Sequence, residues 1–172
     1  MDDADWARRL AETWESFDQR TETEFRALID QLVAELPEGS PVGTYERASA
    51  FDATDRPDLA VPLYEEALAA GLAGERRRAA VIQLASSVRN LGRPEQSISL
   101  LTAELAAGSD QLDDAVRAFL ALALVDAGRA REAASLALTA LAPHLRQYQR
   151  SVANYARLLV EPDPVAAEPT GS

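Results

Sequence analysis

The chain has 172 residues, 28 of them acidic and 17 basic, for a net charge of −11. Every base is an arginine and there is no cysteine, so disulfide frameworks, thiolate zinc sites and thiol nucleophiles are excluded. Such an acidic body repels phosphate backbones, and no apolar run approaches the ~20 residues of a membrane span, so neither nucleic acid nor a membrane is expected as partner.

The opening MDDADW places acid where a secretory signal would carry base, which makes the cytoplasm the expected compartment. Hydrophobic residues make up 47% and aromatics only 6%. A core built on alanine and leucine suits close helix packing, and no Asn-Gly or Asp-Gly hairpin signal interrupts it.

In residues 1–36, Trp6, Leu10, Trp14 and Phe17 make one helical stripe. Phe25, Leu28, Ile29, Leu32 and Leu36 make another. Thr21 with Glu24 reads as a capping box, which predicts two helices or one kinked there. Pro37-Glu38-Gly39-Ser40-Pro41 is a breaker.

From there to about residue 142 the chain repeats itself. DRPDLAVPLYEEALAAG starts at Asp55, GRPEQSISLLTAELAAG at Gly92 and GRAREAASLALTALAPH at Gly128, offsets of 37 and 36 residues. Each opens on a turn pair: Asp55-Arg56, Gly92-Arg93 and Gly128-Arg129. Leu68, Leu105 and Leu141 close the pattern. Upstream of each lies a partner segment, with apolar residues at helical spacing in two of them: Val81, Leu84, Ala85, Val88 and Leu91, then Val116, Leu120, Ala121 and Leu124. Gly92 and Gly128 sit where a helix would stop, and Pro57 and Pro94 where the next would start. The unit is helix–tight turn–helix.

On these residues the chain resembles the tetratricopeptide repeats, and SSVRNLGR and RAFLALALVDAGR resemble their bacterial group-5 subset. The family places small and large residues in turn, here Ala48, Phe51, Ala60, Tyr64 and Ala67; Ala85, Val88, Ser97, Leu101 and Glu104; Ala121, Leu124, Ala133, Ala137 and Ala140. Glu104 departs from that pattern, as does the longer period. The added residues are expected around Gly71–Arg76 and Gly108–Asp113. The resemblance implies an all-α fold, a right-handed α-α superhelix of three helix pairs over 41–160. N-terminal helices precede it. Residues 143–160 cap it, with Leu145, Tyr148, Val152, Tyr155 and Leu159 on one face. Residues 161–172, rich in proline, are expected to be a disordered tail.

Chemistry leaves little trace. No phosphate loop, dinucleotide fingerprint or nucleophile elbow is present. His144 is the only histidine, so a two-histidine metal site cannot form, and a capping or solvated role is expected for it. Asp2-Asp3, Glu65-Glu66 and Asp113-Asp114 are adjacent carboxylates, which do not face each other on a helix. Arg76-Arg77-Arg78 reads as a solvated stretch at a helix start. No enzyme activity, cofactor or metal is expected.

Repeat solenoids present a concave face lined by the first helix of each pair, where the resemblance implies a peptide or a partner helix binds. One step round from the core stripe stand Tyr45, Ser49 and Asp52, then Ile82, Gln83, Ser86, Arg89 and Asn90, then Phe119, Leu122 and Asp126, with Asn154 and Arg157 closing the groove. Arg89 offers a planar fork for a carboxylate and Asn90 can bracket a peptide amide. Both also admit a bland role, Arg89 pairing with an acid such as Asp52 and Asn90 satisfying the helix end. Phe119 and Leu122 line the groove for a partner helix, lie under the chain's own N-terminal helix, or belong to the core. The expected function is thus an adaptor for a protein partner. The alternatives are a homodimer through the two-tryptophan N-terminal helix and an enzyme with an unrecognised polar pocket.

Overall fold

A computed structural model describes residues 3–161. Among them run nine α-helices: α1 Asp3–Glu15, α2 Glu22–Val33, α3 Pro41–Ala53, α4 Pro57–Ala69, α5 Gly74–Asn90, α6 Pro94–Ala107, α7 Asp113–Asp126, α8 Ala130–Leu141 and α9 Gln149–Leu158. Short 3₁₀ turns span Phe17–Gln19 and Ala142–His144.

The repeated turn is the same structure three times. Asp55, Gly92 and Gly128 all lie at positive φ, 55°, 76° and 76°. The following arginine then donates its backbone N–H back over the turn: Arg56 to Phe51 O, Arg93 to Val88 O and Arg129 to Leu124 O. This is the Schellman closure that satisfies carbonyls orphaned at a helix end. It folds α4 back on α3, α6 on α5 and α8 on α7.

Successive pairs stack through α4 on α5 and α6 on α7, and the first helices α3, α5 and α7 touch one another in sequence. The fold is an all-α solenoid whose inner layer is the row of first helices. Small residues make the stacking close: Ala48, Ala60, Ala67, Ala80 and Ala85 are fully buried beside Tyr64, Val88 and Leu101. The first pair centres on Tyr64. The next two share a core around Leu101, Val116 and Leu120.

Helices α1 and α2 add to this stack, α1 on α2 and α2 on α3. The Thr21–Glu24 capping box is formed in both directions. Trp6 and Leu10 are buried with Phe25, Ile29 and Leu32. Trp14, Phe17 and Phe25 meet in tilted and edge-to-face contacts, with Phe25 4.9 and 4.8 Å from the other two rings. Gly43 lets α3 approach: a Cβ there would lie 2.8 Å from Val33 Cγ1.

Three expectations need correction. The residues added after α4 do not all lengthen a loop, because α5 begins at Gly74 and runs a full turn longer than α3. The arginine triplet is not simply solvated, since Arg78 is buried and bonds Asp113 at 2.7 Å. The last helix carries a different face: the chain breaks after the turn at His144, Tyr148 takes φ 68°, and α9 starts only at Gln149. Ala156 is then its buried residue, while Tyr148 and Tyr155 are 74% and 65% exposed. Leu141 is exposed too. The proline-rich tail lies outside the described residues.

Candidate functional site

The inner face runs from α3 across α5 to α7. On α3 the side chains are largely taken up by the fold. Ser49 is buried and receives the Tyr64 hydroxyl at 3.4 Å. Asp52 accepts the Ser87 hydroxyl at 2.6 Å. Burial pushes the Asp52 carboxyl up, opposed by the hydrogen bonds from Ser87 and Tyr64. Ser49 is therefore withdrawn from the groove surface and Asp52 is a half-buried clamp between α3 and α5. Tyr45 stays half-buried and lines a recess of about 510 Å³ with Gly74, Arg76 and Ala79. Desolvation, with Glu46 next in weight, raises its phenol above the ordinary range.

Glu46, one residue on, is buried. It receives the Trp14 indole N–H at 3.4 Å and Arg76 at 3.3 Å. Burial raises its carboxyl, and Arg76 pulls the other way. This junction joins α1, α3 and α5, and the sequence reading missed it.

On α5, Ile82 is buried, while Gln83 and Ser86 are half-buried. Gln83 Oε1 is buried without a hydrogen-bond partner. Arg89 does not reach Asp52. It donates to Asp126 on α7 at 3.0 Å and to Asn90 at 3.2 Å. The pair spans one repeat, so Arg89 does meet a neighbouring acid, though it is Asp126 rather than Asp52. Asn90 is exposed at the helix end.

On α7, Phe119 is half-buried against the core around Leu101 and Leu120. Leu122 and Val125 are open, 46% and 54% exposed. Asn154 and Arg157 bond each other on α9 at 2.9 Å. The face thus grades from polar and closed at α3 to apolar and open at α7. Its middle is the Asp126–Arg89–Asn90 array.

The carboxylates elsewhere are structural. Glu104, the departure from the repeat pattern, is buried and receives Arg77 at 2.6 Å, with Arg78 at 3.6 Å. Arg78 continues to Asp110 and Asp113, tying the loop before α7 to α5. A buried glutamate replaces a small residue because two arginines one helix away neutralise it. His144 is exposed, 2.8 Å from Asp114. No group of three metal-ligating side chains occurs among the described residues.

A family model described as "Tetratrico peptide repeat", of the group-5 class, matches residues 41–159. The chain belongs to the tetratricopeptide-repeat family. A crystal structure from Podosopora anserina, described as a kinesin light chain with nearly identical TPR-like repeats, superposes with a TM-score of 0.65 at 19% identity. The match covers 89% of this chain and 93% of that one, and at this identity it shows the fold. A search of curated proteins found no match. Tetratricopeptide repeats mediate protein–protein interaction in general, and no helix among the described residues is long and apolar enough to cross a membrane.

Proposed function

We propose that this protein is an adaptor that holds a peptide or helix of a protein partner along the inner face of α3, α5 and α7. The observation that carries the reading is the exposed Leu122–Val125 strip on that face, placed beside the Asp126–Arg89–Asn90 array. The strip offers apolar contact, and the array offers donors and acceptors in fixed positions. A suitable partner segment carries aliphatic side chains with a polar or acidic group alongside. The recess at Tyr45 and Arg76 takes its far end. The reading places the protein in the cytoplasm and gives it no catalytic, cofactor, membrane or nucleic-acid role.

Self-association through the N-terminal helix loses its motivation. Trp6 is buried and donates its indole N–H to Leu32 O at 2.9 Å, and Trp14 packs on Phe25. The exposed residues described on α1 are alanines and charged side chains.

The test is capture of native partners on immobilised wild-type protein, Leu122→Asp and Arg89→Glu, with each captured species then titrated as a purified component. A partner that binds wild type and loses at least about tenfold in affinity with both substitutions supports the groove. A partner that binds all three equally removes the assignment.

A further inference from the structure

Five carboxylates among the described residues are buried or half-buried: Glu46, Asp52, Glu104, Asp113 and Asp114. Four of them have an arginine beside them. Arg76 meets Glu46 at 3.3 Å, Arg78 meets Asp113 at 2.7 Å and Arg117 meets Asp114 at 2.9 Å. Glu104 receives Arg77 at 2.6 Å. Asp52 forms no ion pair among the described residues, and its hydrogen-bond partners are the Ser87 and Tyr64 hydroxyls. Both donors are neutral, so they hold the carboxylate in place without balancing its charge. Burial raises its carboxyl, opposed only by those two bonds. Arg89, one repeat further on, is turned away to Asp126.

The unbalanced charge lies on the inner face. Asp52 stands about two turns along α3 from Tyr45, and Ser87 brings α5 against it. Gln83 comes one turn before Ser87 on α5. It is half-buried, and its Oε1 is the acceptor that has no hydrogen-bond partner. An uncompensated carboxylate and an orphan carbonyl thus share the seam between α3 and α5. Both are acceptors, and leaving such groups unmatched is costly. The group that satisfies both is a donor carrying positive charge.

We infer that Asp52 and Gln83 form a subsite for an arginine side chain of the partner segment. The inference rests on the inner-face reading above and adds to it the chemistry of one partner side chain. A guanidinium has five N–H donors in a planar fork, no acceptor and a permanent charge. One edge meets the carboxylate and a remaining N–H meets the Gln83 carbonyl. A lysine supplies the charge without the fork, and an acidic side chain is repelled. The net charge of −11 steers a basic segment toward the protein. The segment crosses from α3 to α7, its arginine at the Asp52 end and its aliphatic side chains on Leu122 and Val125.

Selection from a random library of peptides of about ten residues, long enough to cross the face when extended, tests the subsite on immobilised wild type and Asp52→Asn. Peptides enriched on wild type are expected to carry aliphatic residues with an arginine at a fixed spacing from them. Citrulline keeps the shape of that arginine and removes its charge. In fluorescence anisotropy it weakens binding to wild type by at least about tenfold. On Asp52→Asn the arginine and citrulline peptides bind within about threefold of each other. Asparagine keeps an acceptor for Ser87, and the citrulline comparison on wild type stands without any protein variant. Enriched peptides with aliphatic residues and no arginine preference overturn the subsite and leave the inner-face reading standing. An arginine preference that survives Asp52→Asn does the same, and so does arginine at no fixed position, which reports only the net charge. Enrichment of nothing, or of peptides indifferent to Leu122→Asp, removes the inner-face reading and the subsite with it.

Discussion

At the N-terminal end of the stack, α1 and α2 bury Trp6, Leu10, Phe25, Ile29 and Leu32 and turn a charged surface outward. At the C-terminal end, α9 buries only Ala156 and leaves two tyrosines and a leucine in water. Both ends use amphipathic helices of similar length. The terminal helix at each end has one helix and one 3₁₀ turn as neighbours, α1 with α2 and α9 with α8, so what differs is which side chains they bury and which they leave outside. Terminal units of a solenoid must be polar outside to stay soluble. One end meets that condition among the described residues, and the other leaves Tyr148, Tyr155 and Leu158 exposed.

Substitutions at the two ends should therefore differ in cost. The largest effect is expected from Phe25→Ala, which removes a ring with no exposed surface and both of its aromatic contacts. It should cost about 4 kcal/mol in chemical denaturation. Val152→Ala on α9, half-buried, should cost about 1 kcal/mol or less. Similar losses at the two sites would break the contrast. Gly43→Ala should follow, at about 2 kcal/mol, because the added methyl meets Val33 across the α2–α3 contact. Trp6→Phe keeps the ring burial and removes one hydrogen bond to Leu32 O, a loss of about 1 kcal/mol.

The junction at Glu46 adds a pH dependence to the closed end. Burial raises the folded carboxyl above its unfolded value. The folded state therefore holds that proton more tightly, and stability from it is full in acid and lost as pH rises through the folded value. Glu46→Gln should raise stability at neutral pH by less than about 1 kcal/mol, and the gain should shrink as the pH falls below the carboxylate range. A gain that is constant with pH would show that the carboxylate is not the cause.

The turns were legible in the sequence because positive φ restricts the residue: Gly92, Gly128 and Asp55 mark their positions directly. The capping box was legible because both of its partners are local. Contacts between first helices were not. Ser87–Asp52, Arg78–Asp113 and Arg89–Asp126 join residues 35 to 37 apart, one repeat each, and pairing them needs the relative rotation of the helices. Glu104 looked like a defect in the pattern until Arg77 and Arg78 stood beside it. Of the proposed site, Leu122 and Asn90 are exposed, whereas Ser49 is buried where α4 brings the Tyr64 hydroxyl onto it, a contact between helices that periodicity along one helix does not show.

The face of α9 depends on a single strained residue, and that makes the smallest prediction the most discriminating. A helix continued unbroken from Pro143 would have turned Tyr148 and Tyr155 toward α8. The left-handed residue at Tyr148 resets the phase, so Ala156 faces inward instead. Glycine adopts this conformation without strain, at some cost in unfolded-chain entropy. Tyr148→Gly should therefore leave α9 in place and stabilise the monomer by about 0.5 kcal/mol, measured at a few micromolar. A side chain that is mostly exposed has little packing to lose. If the variant is destabilised by more than about 1 kcal/mol, the ring contributes to the monomer, and the open end is less open than its exposure indicates. If the variant gains stability, the left-handed backbone at Tyr148 carries a strain that its exposed ring does not offset within the chain.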